Sequence, residues 1–195
     1  MDYGAAVRVW RLRVAGVPGP GSLKTMESHG LRLDRSSSRR AVNKIEPLVI
    51  GGLNLCELYF DHLKSARIKA GTKKPIMHFI LQWPTNIEMS CANESAILAE
   101  SARFVDDICG GLAVFAGRLD RDEIGQHTVD IFAAPLYSKK TKLHGEQMWS
   151  STSRHLKILC KKHGSEIKRR FGVNYQVDNL QAQGMALQSE WIKFL

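Results

Sequence analysis

Residues 112–120 (LAVFAGRLD) and 127–136 (HTVDIFAAPL) are two apolar runs of strand length. The segment between them, Arg121 to Gln126, is mostly polar and contains Gly125. Two such runs at this separation predict an antiparallel hairpin that must bury its apolar side chains against another layer. Residues 76–83 (IMHFILQW) are equally apolar, too few for a buried helix, and followed by Pro84. They predict a third, buried strand. Residues 5–14 (AAVRVWRLRV) alternate, which predicts a strand with Trp10, Leu12 and Val14 on one face and Arg11 and Arg13 on the other. The Gly-Pro cluster from Gly16 to Gly21 ends it.

Helical spacing fills the intervals. A short helix is expected from Ser22, as N-cap, to His29. A second covers residues 54–70, with Leu55, Leu58, Tyr59 and Leu63 along one side. A third covers 93–109, opened by Asn93 and stopped by Gly110 and Gly111, where a left-handed residue is wanted. A serine-rich turn precedes a helix at roughly 153–163, and the chain is helical again from about residue 176. Residues 32–44 (RLDRSSSRRAVNK) and the Lys-rich 138–142 read as basic loops. The expected fold is α+β: an antiparallel β-sheet with helices packed on one face, the other left for a ligand, in a single domain spanning 1–195.

Lys and Arg total 28 against 19 acidic residues, a formal charge of +9. Such a surplus attracts polyanions, of which nucleic acids are the commonest, although it also serves simple solubility. Hydrophobic content of 44% excludes a disordered chain. Cys56, Cys91, Cys109 and Cys160 are scattered without zinc-site spacing, as expected for thiols in a reducing compartment. No apolar run approaches the roughly 18 residues of a membrane span, and no signal peptide is visible. The expected location is cytoplasmic, away from membranes.

The densest polar group is Asp120-Arg-Asp122-Glu123-Ile-Gly-Gln-His127-Thr-Val-Asp130, laid across the predicted hairpin. Carboxylates with an imidazole suit a divalent cation such as Mg²⁺ or Mn²⁺. The alternative is a charged turn in which Arg118 and Arg121 pair with the acids. His29 and Arg32 form a second feature: an imidazole that acts as base or nucleophile toward phosphorus, beside a guanidinium that offsets charge. A histidine near a helix C-terminus also serves simply as a dipole partner. Of the tryptophans, Trp10 and Trp83 read as core, and Trp149, beside the Lys-rich segment, is the better candidate for stacking an unpaired base. The absence of an RNP-like aromatic strand motif disfavours an RNA-binding module.

Taken together, His29-Gly-Leu-Arg32 followed by Ser38-Arg39-Arg-Ala-Val-Asn43 resembles the first motif of the Mob/Pre plasmid-mobilisation relaxases, H-x-x-R then S-R-x-x-x-N. The hairpin resembles their metal motif, H-x-D-E-x-T-P-H-x-H, with Asp122-Glu123 at D-E and His127 at the second His. The resemblance implies an HUH-nuclease-like antiparallel sheet. It also implies a metal-dependent enzyme, using Mn²⁺ or Mg²⁺, that nicks and rejoins one DNA strand at a plasmid transfer origin. Carried over, His29 is the nucleophile ahead of Tyr3, Tyr59, Tyr137 and Tyr175. Arg32 and Arg39 then offset phosphoryl charge, and Asp120, Glu123 and His127 are the metal ligands. Arg35 and Arg40 with Lys139, Lys140 and Lys142 would contact phosphates. The chain departs from the motif where Asp120 and Val129 replace histidines and Gly125-Gln126 replaces Thr-Pro. The runner-up is therefore a catalytically decayed, non-enzymatic DNA-binding relative.

Overall fold

The computed structural model describes residues 4–14, 21–122, 127–172 and 176–195. The cluster at 16–20, Glu123 to Gln126, Tyr3 and Tyr175 therefore lie outside the described residues. A five-stranded antiparallel sheet forms the centre, in the order β1 (Ala6–Leu12), β4 (Ile76–Gln82), β6 (Thr128–Ala133), β5 (Val114–Leu119) and β2 (Leu48–Ile50). β5 and β6 form the predicted hairpin, and β4 lies beside β6 as a buried strand. β3 (Ala66–Ile68), β8 (Gly145–Ser150) and β7 (Leu136–Thr141) make a smaller sheet. There β7 and β8 are antiparallel, whereas β3 joins β8 in parallel.

Alternation along the strands gives the main sheet two faces. Val7, Phe79, Leu81, Val129 and Ile131 bury one face. The helices that supply its core partners are α4 (Cys91–Cys109), α5 (Arg154–Lys162), α6 (Gly164–Phe171) and α7 (Leu180–Phe194). Trp191 is fully buried there among Trp83, Phe104 and Phe194. Leu12, Ile76 and Phe132 point the other way, onto Leu23 of α1 (Leu23–Gly30) and Leu55 and Tyr59 of α3 (Leu55–His62). Helices thus cover both faces rather than one, because α1 and α3 carry their own apolar stripe against the second face.

The short helix begins as expected, with Ser22 accepting from the Thr25 N–H at 3.2 Å. α4 starts two residues earlier than the Asn93 opening, because Ser90 caps it. Gly110 ends α4 with φ 83°, the left-handed conformation its position required. The N-terminus of α3 is closed by a long-range contact: buried Glu27 of α1 accepts from the Cys56 N–H at 2.9 Å.

Three segments differ from expectation. Within 32–44, residues Arg35–Arg40 form a helix, α2, whose cap Asp34 accepts from the N–H groups of Ser36 and Ser37. The helix at 54–70 stops at His62, and Ala66–Ile68 becomes strand β3 because β8 offers it an edge. The Lys-rich segment is mostly strand, with Lys139 and Lys140 on β7 and Lys142 in the turn to β8. No helix among the described residues is long and apolar enough to cross a membrane.

Candidate functional site

On the face shared with α1, cross-strand register sets His78 of β4, Asp130 of β6 and Arg118 of β5 close together. Arg118 is buried, 4% exposed. Its Nη2 donates to Asp130 Oδ2 at 2.8 Å, and its Nε stands 3.1 Å from Asp120 Oδ1 as an ion pair without hydrogen-bond alignment. His78 Nε2 donates to Asp130 Oδ1 at 2.7 Å while its ring stacks on Phe132 at 4.6 Å. Burial, the strongest influence on Asp130, pushes its carboxyl up. His78 and Arg118 outweigh it and hold the group well below the usual carboxylate range.

Arg32 extends the chain of charges. Its Nε donates to Asp122 Oδ2 at 2.9 Å, its Nη2 donates to Asp122 Oδ1, and the same Nη2 lies 3.3 Å from Asp120 Oδ1. Acids and bases therefore alternate along Asp122, Arg32, Asp120, Arg118, Asp130 and His78. Arg32 has φ 55°, an uncommon conformation for a residue with a side chain, and the bidentate pair offsets that cost. A further 2.7 Å bond from the Val42 N–H to the Asp122 carbonyl ties the residues after α2 to the hairpin. The two motifs picked out in the sequence, about ninety positions apart, thus meet in space.

Gly30 is where α1 crosses this network. A Cβ there would lie 2.2 Å from Arg118 Nη1. Gly30→Ala should therefore push the guanidinium off its carboxylates and cost about 1–3 kcal/mol. Thermal melting should show a drop of roughly 2–10 °C; an unchanged midpoint would mean that the α1–Arg118 contact has no structural weight.

His29, at the end of α1, donates from Nδ1 to Asp34 Oδ2 at 3.2 Å. Asp34 also accepts from the hydroxyls and N–H groups of Ser36 and Ser37. These bonds, joined by the nearby His29, hold its carboxyl well below the ordinary range. In a neutral ring, a proton held on Nδ1 by this bond leaves the lone pair on Nε2. Around this pair, α2 exposes Arg35, Arg39 and Arg40 while burying Ser37. None of the three pairs with a carboxylate among the described residues.

Of the expected metal ligands, Asp120 and His127 lie among the described residues and Glu123 does not. Asp120 is engaged by Arg32 and Arg118. His127 Nε2 donates to the Ile87 carbonyl at 2.8 Å, on the loop before α4. Val129 is buried in the core, and Glu123 lies outside the described residues. Among the described residues no three His, Cys, Asp or Glu side chains come together as a metal ion requires. Of the charged-turn alternative, Arg118 does pair with Asp120, whereas Arg121 reaches buried Glu94 on α4 at 2.9 Å.

Of the tyrosines, Tyr59 is buried and burial lifts its hydroxyl to about 12. Tyr137 lies beneath the Arg154 guanidinium at 4.7 Å. Lys139, Lys140 and Lys142 belong to the smaller sheet, with Lys139 5.8 Å above the Trp149 ring. His78 and Asp34 were missed by sequence reasoning. The signals were a lone polar residue inside IMHFIL and an Asp directly before a serine run. Compared with protein-family models, with curated proteins and with solved structures, the chain matches none.

Proposed function

We propose that this chain is a DNA-binding domain related to the mobilisation relaxases, which grips one strand through its phosphates. The observation that carries this reading is a contrast between arginines. Arg32 and Arg118 are neutralised by Asp120, Asp122 and Asp130, while Arg35, Arg39 and Arg40 on the adjoining helix face solvent without a carboxylate partner among the described residues. Fixed ion pairs build a rigid base, and the unpaired guanidinium groups project from it as phosphate ligands. The test is a titration of single-stranded DNA at salt concentrations between about 50 and 200 mM. Each neutralised phosphate contributes roughly 0.7 to the log–log slope on a single strand. A slope of about −2 or steeper supports the reading; a flat line refutes it.

The His29–Asp34 bond favours a second reading, strand nicking. The free Nε2 lone pair of His29 would attack phosphorus, forming a P–N bond as the P–O3′ bond breaks and the released O3′ takes a proton from solvent. Arg32 and Arg39 would offset the charge building on the phosphoryl oxygens. Supercoiled DNA carrying the protein's own upstream region, incubated with and without Mn²⁺, should show an acid-labile covalent adduct that is absent in His29→Ala. Binding without any adduct leaves the DNA-binding reading standing alone.

A further inference from the structure

The smaller sheet sorts its charges by face. Cross-strand register sets Tyr137 of β7 opposite Trp149 of β8, Lys139 opposite Gln147, and Arg67 of β3 beside Trp149. Residues in register point the same way, so Arg67, Tyr137, Lys139, Gln147 and Trp149 share one face. Glu146, the one carboxylate on these three strands, lies on the other face, opposite Lys140 and bonded by the Ser138 hydroxyl. The face that carries both aromatic rings is therefore free of acid.

Three exposed cations attend those rings. Lys139 Nζ stands 5.8 Å over the Trp149 ring, and Arg154, at the start of α5, lays its guanidinium 4.7 Å over the Tyr137 ring. Arg67 is the register neighbour of Trp149. None of the three pairs with a carboxylate among the described residues. Tyr137 and Trp149 stay partly exposed and stand outside both apolar clusters of the core. A patch that served solubility alone would need the charges but not two neighbouring rings.

From this combination we infer that the aromatic face of the smaller sheet is a second contact surface for single-stranded DNA. Unpaired bases stack on Trp149 and Tyr137, and Arg67, Lys139 and Arg154 take the flanking phosphates. An incoming base displaces the Lys139 ammonium from over the indole, and the ammonium moves to the phosphate beside that base. The inference rests on the DNA-binding reading and adds a place for bases to the phosphate contacts of α2. Aromatic rings beside cations are the general means of holding single strands without reading sequence, because every base has a stackable face. An acidic peptide would meet the cations but bring no base to stack.

The test uses fluorescence anisotropy with two labelled oligonucleotides of equal length, one of thymidines and one abasic, on the full chain. Trp149→Leu should weaken binding of the thymidine strand about 5- to 100-fold, the range expected for one stacked base. It should leave the abasic strand unaffected, and Trp149→Phe should keep most of the wild-type affinity. Oligoglutamate of equal charge should compete poorly; competition as strong as that of the thymidine strand would point to an acidic peptide and overturn the base platform. Unchanged binding of the thymidine strand by Trp149→Leu, or an equal loss on both strands, also overturns it while DNA binding stands. A measurement on the wild-type chain guards against a variant that does not fold: a strand carrying one iodouracil base, photo-crosslinked and mapped by mass spectrometry, should mark Tyr137 or Trp149. Crosslinks found only elsewhere refute the platform. If the wild-type chain binds neither strand, the DNA-binding reading fails and the platform with it.

Discussion

Arg118→Met should destabilise the protein by about 3–5 kcal/mol, the cost typical of breaking a buried ion pair by removing one partner. Arg118 stands between two carboxylates in a position only 4% exposed, so its loss removes the guanidinium from both Asp130, which keeps His78, and Asp120, which Arg32 also reaches. Most of that cost comes from the stranded charge rather than from the missing side chain. The double variant Arg118→Met/Asp130→Asn should therefore recover part of the loss, with a coupling above about 1 kcal/mol by denaturant unfolding. Simple additivity would show that the network carries no joint energy.

The same network sets an acid limit. Asp130 has a folded-state pKa depressed below its unfolded value, so its stabilisation is fully present above the ordinary value of about 4 and is lost progressively as pH falls from there through the lower folded-state value. With Arg118 removed, burial is opposed by His78 alone, and the acid transition should move to higher pH. A transition at the same pH in wild type and Arg118→Met would show that Arg118 does not govern Asp130.

The legible parts of this fold are those that local pattern decides. The hairpin of β5 and β6, the buried β4 and the long α4 with its glycine stop all announce themselves by apolar period and by a residue suited to the turn. β3 did not, because three residues become a strand only when β8 lies alongside, and no local signal encodes a distant edge. α2 was hidden for a different reason. Its sequence, RSSSRR, has no apolar stripe, and the helix is held by the Asp34 cap and the Val42–Asp122 bond rather than by packing. Trp10 reversed expectation because alternation says which residues share a face, not whether a helix covers it. α1 and α3 cover Leu12 and leave Trp10 bare.

The site shows the same division. Its residues were largely named in advance, since His29, Arg32, Asp120 and Asp122 are the charged members of two compact motifs. Of their partners, Arg118 was named for Asp120 in the charged-turn alternative, whereas Arg32 was not. Arg32 reaches Asp120 and Asp122 across about ninety positions of sequence, which no local pattern encodes. Which side chains neutralise one another is set by register between strands and by the crossing of α1 at Gly30.

Arg35→Ala/Arg39→Ala/Arg40→Ala should lower affinity for DNA about 100-fold near 0.1 M salt, at roughly 1 kcal/mol for each screened phosphate contact. All three side chains are exposed and without a carboxylate partner among the described residues, so nothing inside the protein competes for them. For the same reason their removal should spare the fold, within about 0.5 kcal/mol of wild-type stability. Alanine is also the strongest helix former, so α2 loses no local propensity. Because phosphates carry no sequence information, the loss should be uniform across oligonucleotides of different sequence. The salt slope should become shallower by about 2, three contacts at roughly 0.7 each on a single strand. A triple variant that binds with wild-type slope would place the phosphate contacts elsewhere, with Lys139, Lys140 and Lys142 on the smaller sheet the next residues to replace.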